Sequence, residues 1–251
     1  MSETLRIGVE VTFNVAYLIA IWSLVAAMLR RRSRVRPNDR RVAGLVILAF
    51  GLLALGDTGH VGFRVVGYAI GDPEAQFRLW EAQVGLLGAG TLATAITVTF
   101  FYVCMLAIWR ARYDRRYGPF ETLLLGMALV RLALLALPAN EWNRVVPPQP
   151  MATLRNLPLM VQGLGVAYLI LRDARAQGDR PFLWMGGLIL VSYACYLPVI
   201  LFVQQMPLLG MLMIPKTVAY VGIAVAAYRA LFRPPAAEPT PRRETAQALT
   251  D

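Results

Sequence analysis

Residues 208–231 read LLGMLMIPKTVAYVGIAVAAYRAL. A bilayer core about 30 Å thick needs roughly 20 apolar residues at about 1.5 Å of helical rise each. This run meets that length with one charge in its interior, Lys216. Six similar runs lie upstream, at roughly 8–29, 42–70, 81–109, 119–137, 153–171 and 182–205. The pattern predicts an all-α, polytopic membrane protein: a seven-transmembrane-helix bundle over residues 1–232. The fifth run is the most interrupted, by Arg155, Asn156, Pro158 and Gln162.

Composition agrees. The chain has 251 residues, 57% of them hydrophobic, and a mean hydropathy of +0.53, too apolar for an ordinary soluble domain. The formal charge of +10 is not a nucleic-acid footprint. Its arginines fall in short clusters between apolar runs, as in membrane-flanking loops. Arg30–Arg41, Arg110–Arg116, Arg172–Arg180 and Arg229–Arg243 all fall on one side of the predicted bundle, leaving few on the other. By the positive-inside rule the N-terminus is outside and the C-terminus cytoplasmic. An odd helix count is required for that, and the expected location is the cell (plasma) membrane. The basic face is expected to attract anionic lipid.

The start, MSETLRIGVE, has no basic region ahead of the first apolar run and reads as a first transmembrane helix, not a signal peptide. From Arg233 onward, RPPAAEPTPRRETAQALTD is rich in Pro, Ala and charge, so 233–251 is expected to be a disordered cytoplasmic tail. Cys104 and Cys195 fall inside predicted helices, with no disulfide framework and no zinc spacing. The loop 138–152, PANEWNRVVPPQPMA, carries four prolines and reads as a stiff lid over the bundle.

Ionisable groups inside a membrane are costly and usually contact something. Lys216 is the only lysine in the chain, and His60 the only histidine. Asp57, His60 and Arg64 are spaced i, i+3, i+7 and share a helix face. Arg131, Gln162, Tyr193 and Tyr196 fall at comparable depth on other helices, and Glu81 and Gln83 are expected to open the third. Counted by helix rise, these groups gather in the outer half of the bundle, while the inner half is Leu, Ala, Val and Ile. Asp57 is expected to pair with Lys216 or Arg131. The threonines Thr91, Thr94, Thr97 and Thr99 are expected to bond back to their own helix.

The leading functional expectation is a ligand-binding or sensory protein. Its outward polar pocket would be lined by Asp57, His60, Arg64, Arg131, Gln162, Tyr193, Tyr196 and Lys216, and its ligand would be small and anionic or amphipathic. A first alternative is a membrane-embedded enzyme on a lipid or isoprenoid, with Asp57 and His60 as an acid–base pair. For it, the stretch GLLALGDTGH resembles the Gly-Asp segment of lysoplasmalogenase-like proteins, which have eight helices and an early lysine. A second is a proton-coupled transporter through Asp57 and Lys216. A third is a retinal protein. Seven helices, an outside N-terminus and a lysine on the last helix resemble the rhodopsins, which would make Lys216 the attachment point for retinal. Where microbial rhodopsins carry an acid one turn before that lysine this chain has Leu212, and their helix-three motif is missing.

Overall fold

The computed structural model describes residues 3–72, 74–79 and 81–233. The tail expected at 233–251 lies outside them apart from Arg233. Seven helical spans are long and apolar enough to cross a membrane, which makes the chain an all-α, multi-pass membrane bundle, as expected of a protein in the cell membrane. The helices are α1 (Glu3–Arg31), α2 (Arg40–Ala69), α3 (Leu86–Arg112), α4 (Pro119–Ala136), a single turn α5 (Met151–Leu154), α6 (Leu157–Gln177), α7 (Arg180–Phe202) and α8 (Met213–Leu231). A short antiparallel hairpin, β1 (Gln76–Leu79) and β2 (Ala82–Gly85), joins α2 to α3. The hairpin and the 137–156 loop mark one end of the bundle. The short arginine-bearing loops mark the other.

Local chemistry sets the helix ends. Glu121 accepts from the Gly118 N–H at 2.9 Å, and Pro119 opens α4 without an N–H to satisfy. Gly178 ends α6 in the left-handed region that glycine adopts without strain, at φ 65°. Asp179 then caps α7 by accepting from the Phe182 N–H. Pro198 lies inside α7, where its ring removes one helical hydrogen bond.

Three boundaries differ from expectation. Residues 81–85 are turn and strand, so Glu81 and Gln83 belong to the hairpin and do not open a helix. Alternation won there: Val84 is buried while Gln83 is exposed, and Phe77 stacks on Phe63 at 6.2 Å. The fifth span is broken at 155–156 into α5 and α6. The seventh opens with a 3-10 stretch, Pro207–Leu212, before α8. Pro215 sits in the first turn of α8, where an N–H has no helical acceptor to lose.

The arginine half of the interior is mostly apolar, built on Met28, Phe50, Met105, Trp109, Phe182 and Ala227. Leu129 on α4 and Trp184 on α7 stand at the surface, as lipid-facing side chains do. Small residues bring α2 and α3 close together. A Cβ on Gly56 would lie 1.8 Å from the Thr97 hydroxyl, and one on Gly90 would lie 2.9 Å from the His60 backbone. That close approach fixes the face of α2 that carries Asp57 against α3.

Candidate functional site

Asp57 is held on both carboxylate oxygens. One carboxylate oxygen accepts from the Tyr17 hydroxyl of α1 at 2.6 Å. The other accepts from Thr94 of α3 at 2.7 Å. The carboxylate therefore ties three helices together. Among the described residues neither Lys216 nor Arg131 forms an ion pair with it. The expected pairing is replaced by two hydroxyl bonds, while Lys216 stays within electrostatic reach. Thr94 thus departs from the expectation for its neighbours. Thr91 and Thr99 bond the carbonyls of Leu87 and Ala95, and Thr97 that of Thr94.

Lys216 projects from the first turn of α8 into aromatic company. Its ammonium lies 4.0 Å from the Tyr196 ring centroid and 5.8 Å from that of Tyr220. Aromatic faces attract a cation through their quadrupole, by about 2 kcal/mol or more when water is excluded. Tyr220 shares a 2.9 Å hydroxyl–hydroxyl bond with Tyr102 of α3, and the Tyr102 and Tyr193 rings lie 5.7 Å apart. Tyr193 donates to the Leu159 carbonyl at 2.9 Å. It fits there because residue 163 is glycine: a Cβ would meet the Tyr193 hydroxyl at 1.9 Å. Tyr196 and Tyr220 therefore flank Lys216, and Tyr102 and Tyr193 continue the tyrosine cluster from Tyr220.

Arg131 is buried, with 2% exposure. It donates to the Arg155 carbonyl at 3.2 Å, to the Thr99 hydroxyl at 2.9 Å and to Asn156 Oδ1 at 3.3 Å. The same Asn156 oxygen accepts from the Tyr196 hydroxyl at 3.3 Å. All three acceptors are neutral, so among the described residues the Arg131 charge has no carboxylate in contact. Gln162 is fully buried on α6, and both atoms of its amide lack a hydrogen-bond partner among the described residues. Such orphaned buried groups are rare and call for a ligand, a water or a functional role. His60 Nδ1 is in the same condition, and His60 senses both Arg64 and Lys216 electrostatically.

The predicted residues thus fall into two groups. Asp57, His60 and Arg64 lie on α2 toward α1 and α3. Arg131, Gln162, Tyr193 and Tyr196 lie among α3, α4, α6 and α7. Lys216 and Tyr220 of α8, with Tyr102 of α3, bridge them. Sequence reasoning missed Tyr17, Thr94, Tyr102, Tyr220, Arg155 and Asn156. A tyrosine or threonine in an apolar helix looks like packing until its partner on another helix is known. Arg155 reads in the sequence only as an interruption of the fifth run, yet it is 5% exposed.

The arginine end holds a second polar cluster that charge counting did not separate from its topology signals. Asp173 of α6 accepts from Trp109 at 2.8 Å, Arg115 at 3.2 Å and Arg172 at 3.0 Å. Arg112 bridges Asp39 and Asp179 at 2.9 and 2.8 Å and lies over Phe182. Burial pushes the neighbouring Tyr113 phenol above its ordinary range. These contacts join the 32–39, 113–118 and 178–179 loops and serve as a clamp. Among the described residues no group of three or more His, Cys, Asp or Glu is placed to hold a metal. No family model, curated protein or solved structure matches the chain.

Proposed function

We propose that this chain is an integral membrane ligand-binding or sensory protein, with its hairpin end outside the cell and its recognition site in the polar layer of that half. The observation that carries this reading is a charge imbalance. Three buried or half-buried cations, Lys216, Arg131 and Arg155, share that layer with the carboxylate of Asp57, which two hydroxyls already occupy. Like charges at close quarters raise the free energy of the empty site, and an anion relieves it. The orphaned Gln162 amide adds a donor and an acceptor at the same level of the bundle.

Tyr196 and Tyr220 at Lys216, backed by Tyr102 and Tyr193, favour a compact anionic ligand over a long polyene such as retinal. Acid–base chemistry is less well supported, because Asp57 spends both oxygens on Tyr17 and Thr94 while His60 Nδ1 bonds neither. The test is thermal unfolding of the full chain in nanodiscs against a panel of small carboxylates and phosphates. A ligand at about 100 times its Kd stabilises the folded state by about 2.7 kcal/mol. The expected result is stabilisation by an anion that Lys216→Gln and Arg131→Gln each abolish. Stabilisation unchanged in both variants refutes the reading.

A further inference from the structure

A small, partly open crevice lies at the hairpin end, lined by Gly88 and Thr91 of α3, Asn140, Trp142 and Arg144 of the loop, and Arg155. The loop is seated there by close backbone approach. The Trp142 carbonyl accepts from the Gly85 N–H at 3.1 Å, and a Cβ on Gly88 would lie 1.7 Å from that carbonyl oxygen.

Arg155 is the chemical centre of the crevice. Its guanidinium lies 4.4 Å over the Trp142 ring and donates to Asn140 Oδ1 at 3.1 Å. Both partners are fixed in turn. The Asn140 amide nitrogen donates to the carbonyls of Leu134, Leu135 and Leu137, and the Trp142 indole N–H donates to the Leu135 carbonyl. Glu141, the acid of the lining, is taken by Arg144, so Arg155 leaves the crevice one positive charge. Of its five N–H donors, one has an acceptor among the described residues. A buried arginine that only pins a loop is usually matched by a carboxylate. This one is held in place by neutral groups and still faces a crevice.

We propose that this crevice is an oxyanion-binding vestibule in which Arg155 supplies the recognition fork. The fork geometry of a guanidinium matches a carboxylate or phosphate through two parallel hydrogen bonds, which a halide cannot accept. The crevice is far smaller than a pocket for a drug-sized molecule, so what reaches Arg155 is a single carboxylate or phosphate group. The inference rests on the anionic reading of the deeper site. The Arg155 carbonyl accepts from Arg131, which sets the vestibule next to the deeper site.

The experiment titrates the full chain in nanodiscs with sodium acetate, and separately with inorganic phosphate, against sodium chloride at equal ionic strength. Two signals are read: the thermal midpoint, and the part of the tryptophan emission that disappears in Trp142→Phe. Saturable binding of acetate or phosphate, weakened at least tenfold by Arg155→Gln, supports the vestibule, and the better of the two names the headgroup. Chloride acting equally well, or Arg155→Gln binding like the parent, overturns it. If Arg155→Gln does not fold, Thr91→Asp places a competing carboxylate in the lining. Loss of binding there supports the proposal and full retention refutes it. Binding that survives Lys216→Gln and Arg131→Gln but not Arg155→Gln keeps the vestibule and removes the deeper site. The reverse pattern removes the vestibule alone.

Discussion

Replacing Lys216 by Met separates a recognition lysine from a structural one. Methionine keeps the length and flexibility of the side chain and still packs on aromatic rings. A lysine charge at the centre of a membrane helix costs about 2.5–3.5 kcal/mol on insertion scales. Among the described residues the ammonium has no ion pair, and its main return is the attraction of Tyr196 at 4.0 Å and Tyr220 at 5.8 Å, about 2 kcal/mol in a dry setting. Asp57 attracts it from beyond contact distance, and repulsion from Arg131 partly offsets that. Removing the charge should therefore leave the empty protein unchanged or raise its stability by about 1 kcal/mol. Breaking a buried ion pair would instead cost about 3–5 kcal/mol. The assay is reversible SDS-driven unfolding in mixed micelles, followed by tryptophan emission, on parent and variant side by side. A loss above about 3 kcal/mol in Lys216→Met refutes the reasoning and makes Lys216 a strut between α8 and α2.

Other substitutions test the remaining contacts. Asp57→Ala removes the acceptor of both the Tyr17 and Thr94 hydroxyls and should cost roughly 2–4 kcal/mol, whereas Asp57→Asn, which keeps an acceptor, should recover most of it. Equal SDS midpoints for the two variants would show that these hydroxyl bonds do not hold α1 to α2 and α3. Gly88→Ala must displace the Trp142 carbonyl, so a loss of about 1–3 kcal/mol is expected, together with faster tryptic cleavage after Arg144. Unchanged cleavage would place the loop elsewhere. At the other end, Asp173→Asn weakens bonds from Trp109, Arg115 and Arg172. About 1.5–3 kcal/mol should be lost, read as a lower SDS midpoint, and a parental midpoint would mean that the clamp contributes nothing.

Much of the architecture could be read before any coordinates, because the bilayer reduces it to a length rule. An apolar run of about 20 residues has one low-energy arrangement in hydrocarbon, a helix with every backbone group bonded within itself. Seven such runs, and the arginine clusters between them, needed no partner to be recognised. Departures came where that rule does not reach. Glu81 and Gln83 sit beyond the helix ends, where strand alternation and the seating of Gly85 against Trp142 decide the structure. Pro158 and Asn156 interrupted a run that length alone would have kept whole.

The ionisable residues of the site were also legible one by one, since Asp57, His60, Arg131 and Lys216 are conspicuous in apolar helices. Their partners were not. Helix spacing gives depth and shared face but leaves the rotation of each helix about its axis undetermined, and rotation chooses contacts. The close packing at Gly56 and Gly90 turned Asp57 toward Thr94 and Tyr17 and away from a cation. Gly163 admitted Tyr193, the other tyrosines gathered beside Lys216, and Arg131 found neutral acceptors. Sequence by itself determined which groups enter the membrane and roughly how deep, because that depends on one residue and its solvent. Only tertiary packing decided which of them meet, because that depends on small side chains several helices away.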